Sequence, residues 1–133
     1  MANILVAYDG SEPAKKAVHK AAELVGEGRI FIAGIQPTAK FEEFSNIDMG
    51  ESLSRLQAVV DKIVDELVSI GVNAEGIVRE GDPVEELLSI ADERECTLIL
   101  IGKTEITRTG RFQIGDIAEQ LRRRAKVPLM IVS

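Results

Sequence analysis

The sequence predicts an α/β domain: an open five-stranded parallel sheet with helices on both faces. Three observations carry that prediction. Short apolar runs alternate along the chain with segments of helical period. Most of the runs are continuous rather than alternating, the pattern of strands covered on both sides. Glycine, proline and capping residues stand at the junctions between runs and helices.

The first strand is Ile4-Leu5-Val6-Ala7-Tyr8. A helix over 13–25 follows, with Ala14, Ala17, Val18, Ala21 and Ala22 on one face at spacings of three and four. Ser11 supplies an N-cap, and Gly26 and Gly28 stop the helix. Arg29 to Ile35 is the second strand. Gln36 to Gly50, with its proline and two phenylalanines, reads as a loop with some helical turn. Glu51 to Ile70 is a long amphipathic helix whose apolar stripe is Leu53, Leu56, Val60, Ile63, Val64, Leu67 and Ile70, ended by Gly71. Val72 to Arg79 is a strand. Asp82 caps a helix that begins at Pro83 and turns Val84, Leu87, Leu88 and Ala91 inward. Thr97 to Ile101 is a strand bounded by Gly102, and a polar loop runs to about Phe112. A last helix spans 114–124, and Pro128 to Val132 is the closing strand.

The chain of 133 residues fits one domain, 1–133, and is long enough to bury a core. With 45% hydrophobic and 29% charged residues it is an ordinary globular composition. A net charge of -6 gives no electrostatic case for nucleic acid or an anionic membrane. The apolar start at Ile4 has no basic residue before it and is too short for a signal peptide or a membrane span, so a cytoplasmic location is expected. Cys96 has no cysteine partner and reads as a buried, inert thiol. His19, the one histidine, has no second ligand of its kind for a metal and marks no catalytic triad. The run Arg122-Arg123-Arg124-Ala125-Lys126 closes the last helix, where cations complement the helix dipole.

Open parallel sheets bind ligands outside the carboxyl ends of their strands, where the strand order reverses. Asp9-Gly10-Ser11, the residues after Ile35 and the loop opened by Gly102 are expected to meet there. For Asp9 an Asx-turn onto the next helix and a ligand contact are both open readings.

In order and spacing these pieces resemble the universal stress protein family over nearly the whole chain. Ile4 to Ser11 resembles its first strand and acidic turn, Gly81-Asp82-Pro83 the start of its third helix, and Pro128 to Val132 its closing strand. The resemblance implies a Rossmann-like, adenine nucleotide alpha hydrolase-like variant of the fold. It also implies an adenine nucleotide, AMP or ATP, with Mg accompanying ATP. By similarity Ala7, Tyr8 and Ile35 would line an adenine pocket, Asp9 would meet the adenine–ribose end, and Ile101, Gly102, Lys103, Gly115, Asp116 and Ile117 would complete the site.

The family's nucleotide-binding branch carries glycine, two residues, glycine, nine residues, then glycine and a serine or threonine. Such glycines let backbone amides approach phosphate, and the last pair opens a helix whose N-terminus favours an anion. Here Gly102 and Gly115 keep the spacing, but Glu105 replaces the second glycine and Asp116 the hydroxyl residue. Carboxylates at those places repel phosphate, unless a divalent ion bridges them or Lys103, Arg108 and Arg111 offset them. Two readings therefore stand: a stress-response regulatory module binding AMP or ATP, and a homodimeric interaction module with a degenerate site and an unidentified protein partner. The resemblance places the dimer contact on the closing strand, 128–132, whose apolar edge needs cover.

An enzyme is not expected, although slow ATP hydrolysis stays open. The phosphate loop of ATP pyrophosphatases is missing after the first strand. The paired acids of a phosphoacceptor receiver are missing as well, with Arg79-Glu80 where its aspartate would end the third strand.

Overall fold

A computed structural model of the chain describes residues 1–37, 49–103 and 114–133. The elements follow in strict alternation: β1 (Asn3–Ala7), α1 (Glu12–Leu24), β2 (Arg29–Gln36), α2 (Met49–Ser69), β3 (Ala74–Glu80), α3 (Pro83–Glu93), β4 (Leu98–Gly102), α4 (Ile114–Arg124) and β5 (Leu129–Val132). All strands pair in parallel, in the order β3-β2-β1-β4-β5. This is the predicted open α/β sheet.

The period of two along each strand divides the core into two layers. Ile4, Val6 and Tyr8 face α1 and α2, packing with Ala14, Ala17, Val18, Ala21, Val60, Ile63 and Leu67. Leu5 and its neighbours Phe31, Ala33, Ile99 and Ile101 face α3 and α4, where they meet Val84, Leu87, Ile90, Ala118 and Leu121. Helix α2 comes unusually close to the sheet. A Cβ on Gly34 would stand 2.9 Å from Val60 Cγ2, and one on Gly76 would stand 2.7 Å from Val60 Cγ1. Val60 thus fills a hole that only glycines on β2 and β3 leave open.

The helix ends obey local chemistry. Ser11 Oγ accepts the Ala14 amide at 3.3 Å and caps α1. Asp82 Oδ2 accepts the Glu85 amide at 3.3 Å and caps α3, with Pro83 at the first helical position. At the end of α2 the Val72 amide donates to Leu67 O at 3.0 Å and the Gly71 amide to Val68 O at 3.0 Å. That is a Schellman arrangement. It takes up the Val72 amide, so β3 starts at Ala74 rather than at the expected Val72, although Asn73 O still accepts the Ile30 amide of β2 at 2.9 Å.

The arrangement also corrects one member of the predicted stripe. Ile70 lies past the helix end and is 70% exposed. On α3, Ile90 is buried, which the inward set did not include, while Leu88 is half-buried. The expected loops fall largely outside the described residues, except that Gln36 belongs to β2 and Met49 and Gly50 to α2.

Ion pairs tie the edge strand β3 to α3. Arg79 donates twice to Glu93 at 2.8 Å and lies 3.6 Å from Glu86. Arg94 pairs with Glu75 at 3.1 Å while its guanidinium sits 5.6 Å from the centre of the Phe31 ring. The basic run at the end of α4 is engaged likewise, Arg122 and Arg123 with Glu119 and Arg124 with Glu85 of α3 at 2.6 Å.

Candidate functional site

The strand order reverses between β1 and β4: the chain leaves β1 toward β2 on one side and returns to β4 on the other. The crevice outside these two strand ends is the site the topology provides. β1 is followed by Asp9, Gly10 and Ser11, and β4 ends in Gly102 before Lys103. Asp9 and Gly102 thus stand at the ends of neighbouring strands, while most of the residues expected to meet them, 38–48 and 104–113, lie outside the described residues.

Asp9 is exposed, and its Oδ1 accepts the Ser11 amide at 2.9 Å. It forms the Asx-turn that starts α1. One carboxylate oxygen is engaged there, and the other has no protein partner among the described residues. Ser11 in turn caps α1, so the acidic turn and the helix start are one hydrogen-bonded unit.

The crevice has an apolar wall. Ala7, Ile35 and Ile117 are half-buried and pack on the α3–α4 side of the sheet, in one cluster with buried Ile101. These are four of the residues that the sequence singled out, contributed by β1, β2, α4 and β4. Half-burial leaves them apolar surface that a flat hydrophobic group could cover.

Tyr8 stands apart from this wall. Its side chain packs with Ile4 and Val6 on the α1–α2 side, and its amide donates to Ala33 O at 2.8 Å. Alternation along β1 dictates this outcome: adjacent residues cannot present side chains to the same face. Tyr8 therefore borders the crevice only through its main chain.

Gly102 is fixed by packing. A Cβ there would lie 2.3 Å from Pro13 O and 2.8 Å from Ala14 N. The first turn of α1 thus rests directly on the end of β4 and closes the crevice on that side. Lys103 is exposed, with its amide donating to Val132 O at 2.7 Å. Gly115 and Asp116 lie in the first turn of α4, where an anion would meet a helix N-terminus, and the Asp116 side chain is outside what the structure describes. Glu105, Arg108, Gly110 and Arg111 also lie outside them.

At the opposite end of the sheet a cavity of about 530 Å³ opens between α3 and α4, lined by Leu88, Cys96, Ile99 and Val127 with Glu85 and Arg124 at its rim. Burial pushes the Cys96 thiol up to about 11, so it stays protonated and weakly nucleophilic at neutral pH. This matches the reading of an inert thiol.

The fold is that of a doubly wound α/β domain whose strand order reverses between β1 and β4. The model of the universal stress protein family matches residues 1–133, and the chain belongs to that family. It is 28% identical to universal stress protein YxiE of Bacillus subtilis, over 97% of each chain. It is 28% identical to universal stress protein MJ0531 of Methanocaldococcus jannaschii, over 97% of this chain and 80% of that one. Among solved structures it resembles MJ0577 of Methanocaldococcus jannaschii with a TM-score of 0.83 at 22% identity, covering 98% of this chain and 94% of that one. A universal stress protein in complex with cAMP aligns with a TM-score of 0.73 at 21% identity, over 99% and 97% of the two chains. A family protein from Arabidopsis thaliana with AMP bound aligns with a TM-score of 0.68 at 18% identity, over 99% and 90%. No helix among the described residues is long and apolar enough to cross a membrane.

Proposed function

We propose that the chain binds an adenine nucleotide, AMP or ATP, in the crevice between β1 and β4, and acts as a stress-response regulatory module rather than as a catalyst. The observation that carries this reading is the grouping of Ala7, Ile35, Ile101 and Ile117 in one apolar cluster, with Asp9 two residues past Ala7 where β1 ends. A half-buried apolar wall suits a purine face, and a carboxylate at its lip suits the hydroxyls of a ribose. The nucleotide-bound family structures that share this fold lend support from outside the chain. At the phosphate end, Glu105 and Asp116 favour AMP, or ATP brought in with Mg.

The test is calorimetric titration of nucleotide-stripped protein with AMP and ATP, with and without Mg. Saturable binding of AMP, weakened at least tenfold by Ile35→Asp, is the expected result. No heat with either nucleotide, checked by a second method, overturns the reading.

The same protein would then be a homodimeric interaction module, and one observation favours that second reading. Among the described residues β5 pairs only with β4, leaving its outer edge without a strand partner, and Ile131 on it is 49% exposed. We infer a homodimer through 128–132. Sedimentation velocity should give twice the chain mass for the wild type and a monomer for Ile131→Lys. A monomeric wild type at micromolar concentration would sink it.

A further inference from the structure

The Tyr8 side chain, turned away from the crevice, reaches a second site on the other face of the sheet. It lines a cleft of about 310 Å³ between α1 and α2, with Lys15 and His19 on one wall and Val59, Lys62 and Glu66 on the other. That is the lower end of the size range of small-molecule pockets, about 300–1,000 Å³.

Tyr8 is only 5% exposed, yet its hydroxyl has no hydrogen-bond partner among the described residues. No side-chain oxygen or nitrogen that is itself buried lacks a partner in the described part. The unpartnered hydroxyl is therefore the part of Tyr8 that opens into the cleft. Lys62 forms no ion pair among the described residues, and Lys15 has only a long, exposed contact with Glu12 at 3.5 Å. Donors from three separate elements thus line one small space, in which Glu66 is the one carboxylate among the described lining residues. Burial, then Glu66, Asp9 and Glu12, hold the Tyr8 phenol above its ordinary range, which keeps it a donor at neutral pH.

We propose that this cleft binds a compact oxyanion, a carboxylate or a phosphate of small-metabolite size, held by the Tyr8 hydroxyl and the ammonium groups of Lys15 and Lys62. Charge-assisted hydrogen bonds to oxyanions are the strong class, and a phenol at the floor of the cleft fixes the ligand's depth. Glu66 limits the total negative charge the site accepts. The site lies on the opposite side of the sheet from the Ala7–Ile35 wall and does not depend on nucleotide binding.

The test is amide NMR titration of the full chain with inorganic phosphate and, separately, with succinate, at constant ionic strength. Saturable shifts confined to the amides around Tyr8, Lys15–His19 and Val59–Glu66 are expected with at least one probe, and the probe that saturates names the anion. Tyr8→Phe and Lys62→Gln should each weaken binding about tenfold, and Glu66→Gln should tighten it. Lys62 lies on α2, away from the crevice between β1 and β4, so the AMP titration of Lys62→Gln should be unchanged. Absence of saturation with both probes overturns the proposal. So does saturation that both Tyr8→Phe and Lys62→Gln leave untouched while their spectra remain folded.

Discussion

The backbone of Pro13 occupies the space that a side chain on Gly102 would need: a Cβ there would stand 2.3 Å from the Pro13 carbonyl oxygen. The contact joins the start of α1 to the end of β4, residues that are far apart in the chain. It sets how tightly the crevice closes on the α1 side. The obstacle is backbone rather than the end of a flexible side chain, so relief requires α1 to move. Gly102→Ala should cost about 1–3 kcal/mol, read as a lower urea midpoint at unchanged slope. An unchanged midpoint would mean that α1 shifts freely and that the contact does not position the crevice.

Val60 between Gly34 and Gly76 makes a coupled pair of predictions. Val60→Ala should destabilise by about 1–3 kcal/mol through lost burial and a residual cavity. Gly76→Ala should destabilise the wild type by a similar overpacking cost, about 1–3 kcal/mol. In the Val60→Ala background the Gly76→Ala penalty should largely disappear, because the methyl then enters the vacated space. Additive penalties in the double mutant would show that the two positions do not share that space.

Arg79 should contribute to stability in a pH-dependent way. Its hydrogen bonds and charge hold the Glu93 carboxyl below its ordinary value. A depressed folded value means that the contribution is present above the unfolded glutamate value of about 4.3. It is lost as pH falls through the lower folded value. The stability gap between wild type and Arg79→Met should therefore be constant around neutrality and close in acid. A gap that persists in acid would assign the effect to packing of the Arg79 stem instead.

The Cys96 thiol makes the opposite test. Its folded value of about 11 lies above its ordinary value, so the proton is retained on folding. The contribution is intact below the unfolded value of about 8.5 and is lost as pH rises through the folded value of about 11. Cys96→Ser should therefore flatten the fall of stability on the alkaline side. In the wild type, labelling by a thiol reagent at pH 8 should run at the rate of unfolding. Rapid labelling of the folded protein would contradict the burial.

Much of this architecture is legible in the residues. The continuous runs from Ile4 and Leu98 can only be strands covered on both faces, and Ser11, Asp82 and Pro83 announce their helices by capping chemistry. The end of α2 is less legible. Ile70 continues the apolar period of the helix, but the hydrogen bonds around Gly71 turn the chain just before it could be buried. At the site, Asp9, Gly102 and the Ala7–Ile35–Ile101–Ile117 wall follow from strand ends and topology. The close seat of Pro13 on Gly102 does not, because it is a property of how two distant backbones meet. Simple alternation along β1 would already separate Tyr8 from Ala7. What sequence cannot supply is the partner list of the Tyr8 cleft, since Lys15 and Lys62 come together only once α1 and α2 have docked.

The strand order also has a kinetic meaning. β1, β2 and β3 are consecutive in the chain and adjacent in the sheet, so within residues 3–80 each strand pairs with its neighbour in sequence. β4 and β5 must then close against β1, a contact sealed by the Thr97 amide donating to Asn3 O across 94 residues. Contacts of such separation form late, because loop closure precedes their reward. The crevice lies on that seam. A molecule seated there touches both folding halves and slows their separation, so occupancy should register first as slower hydrogen exchange where β1 meets β4.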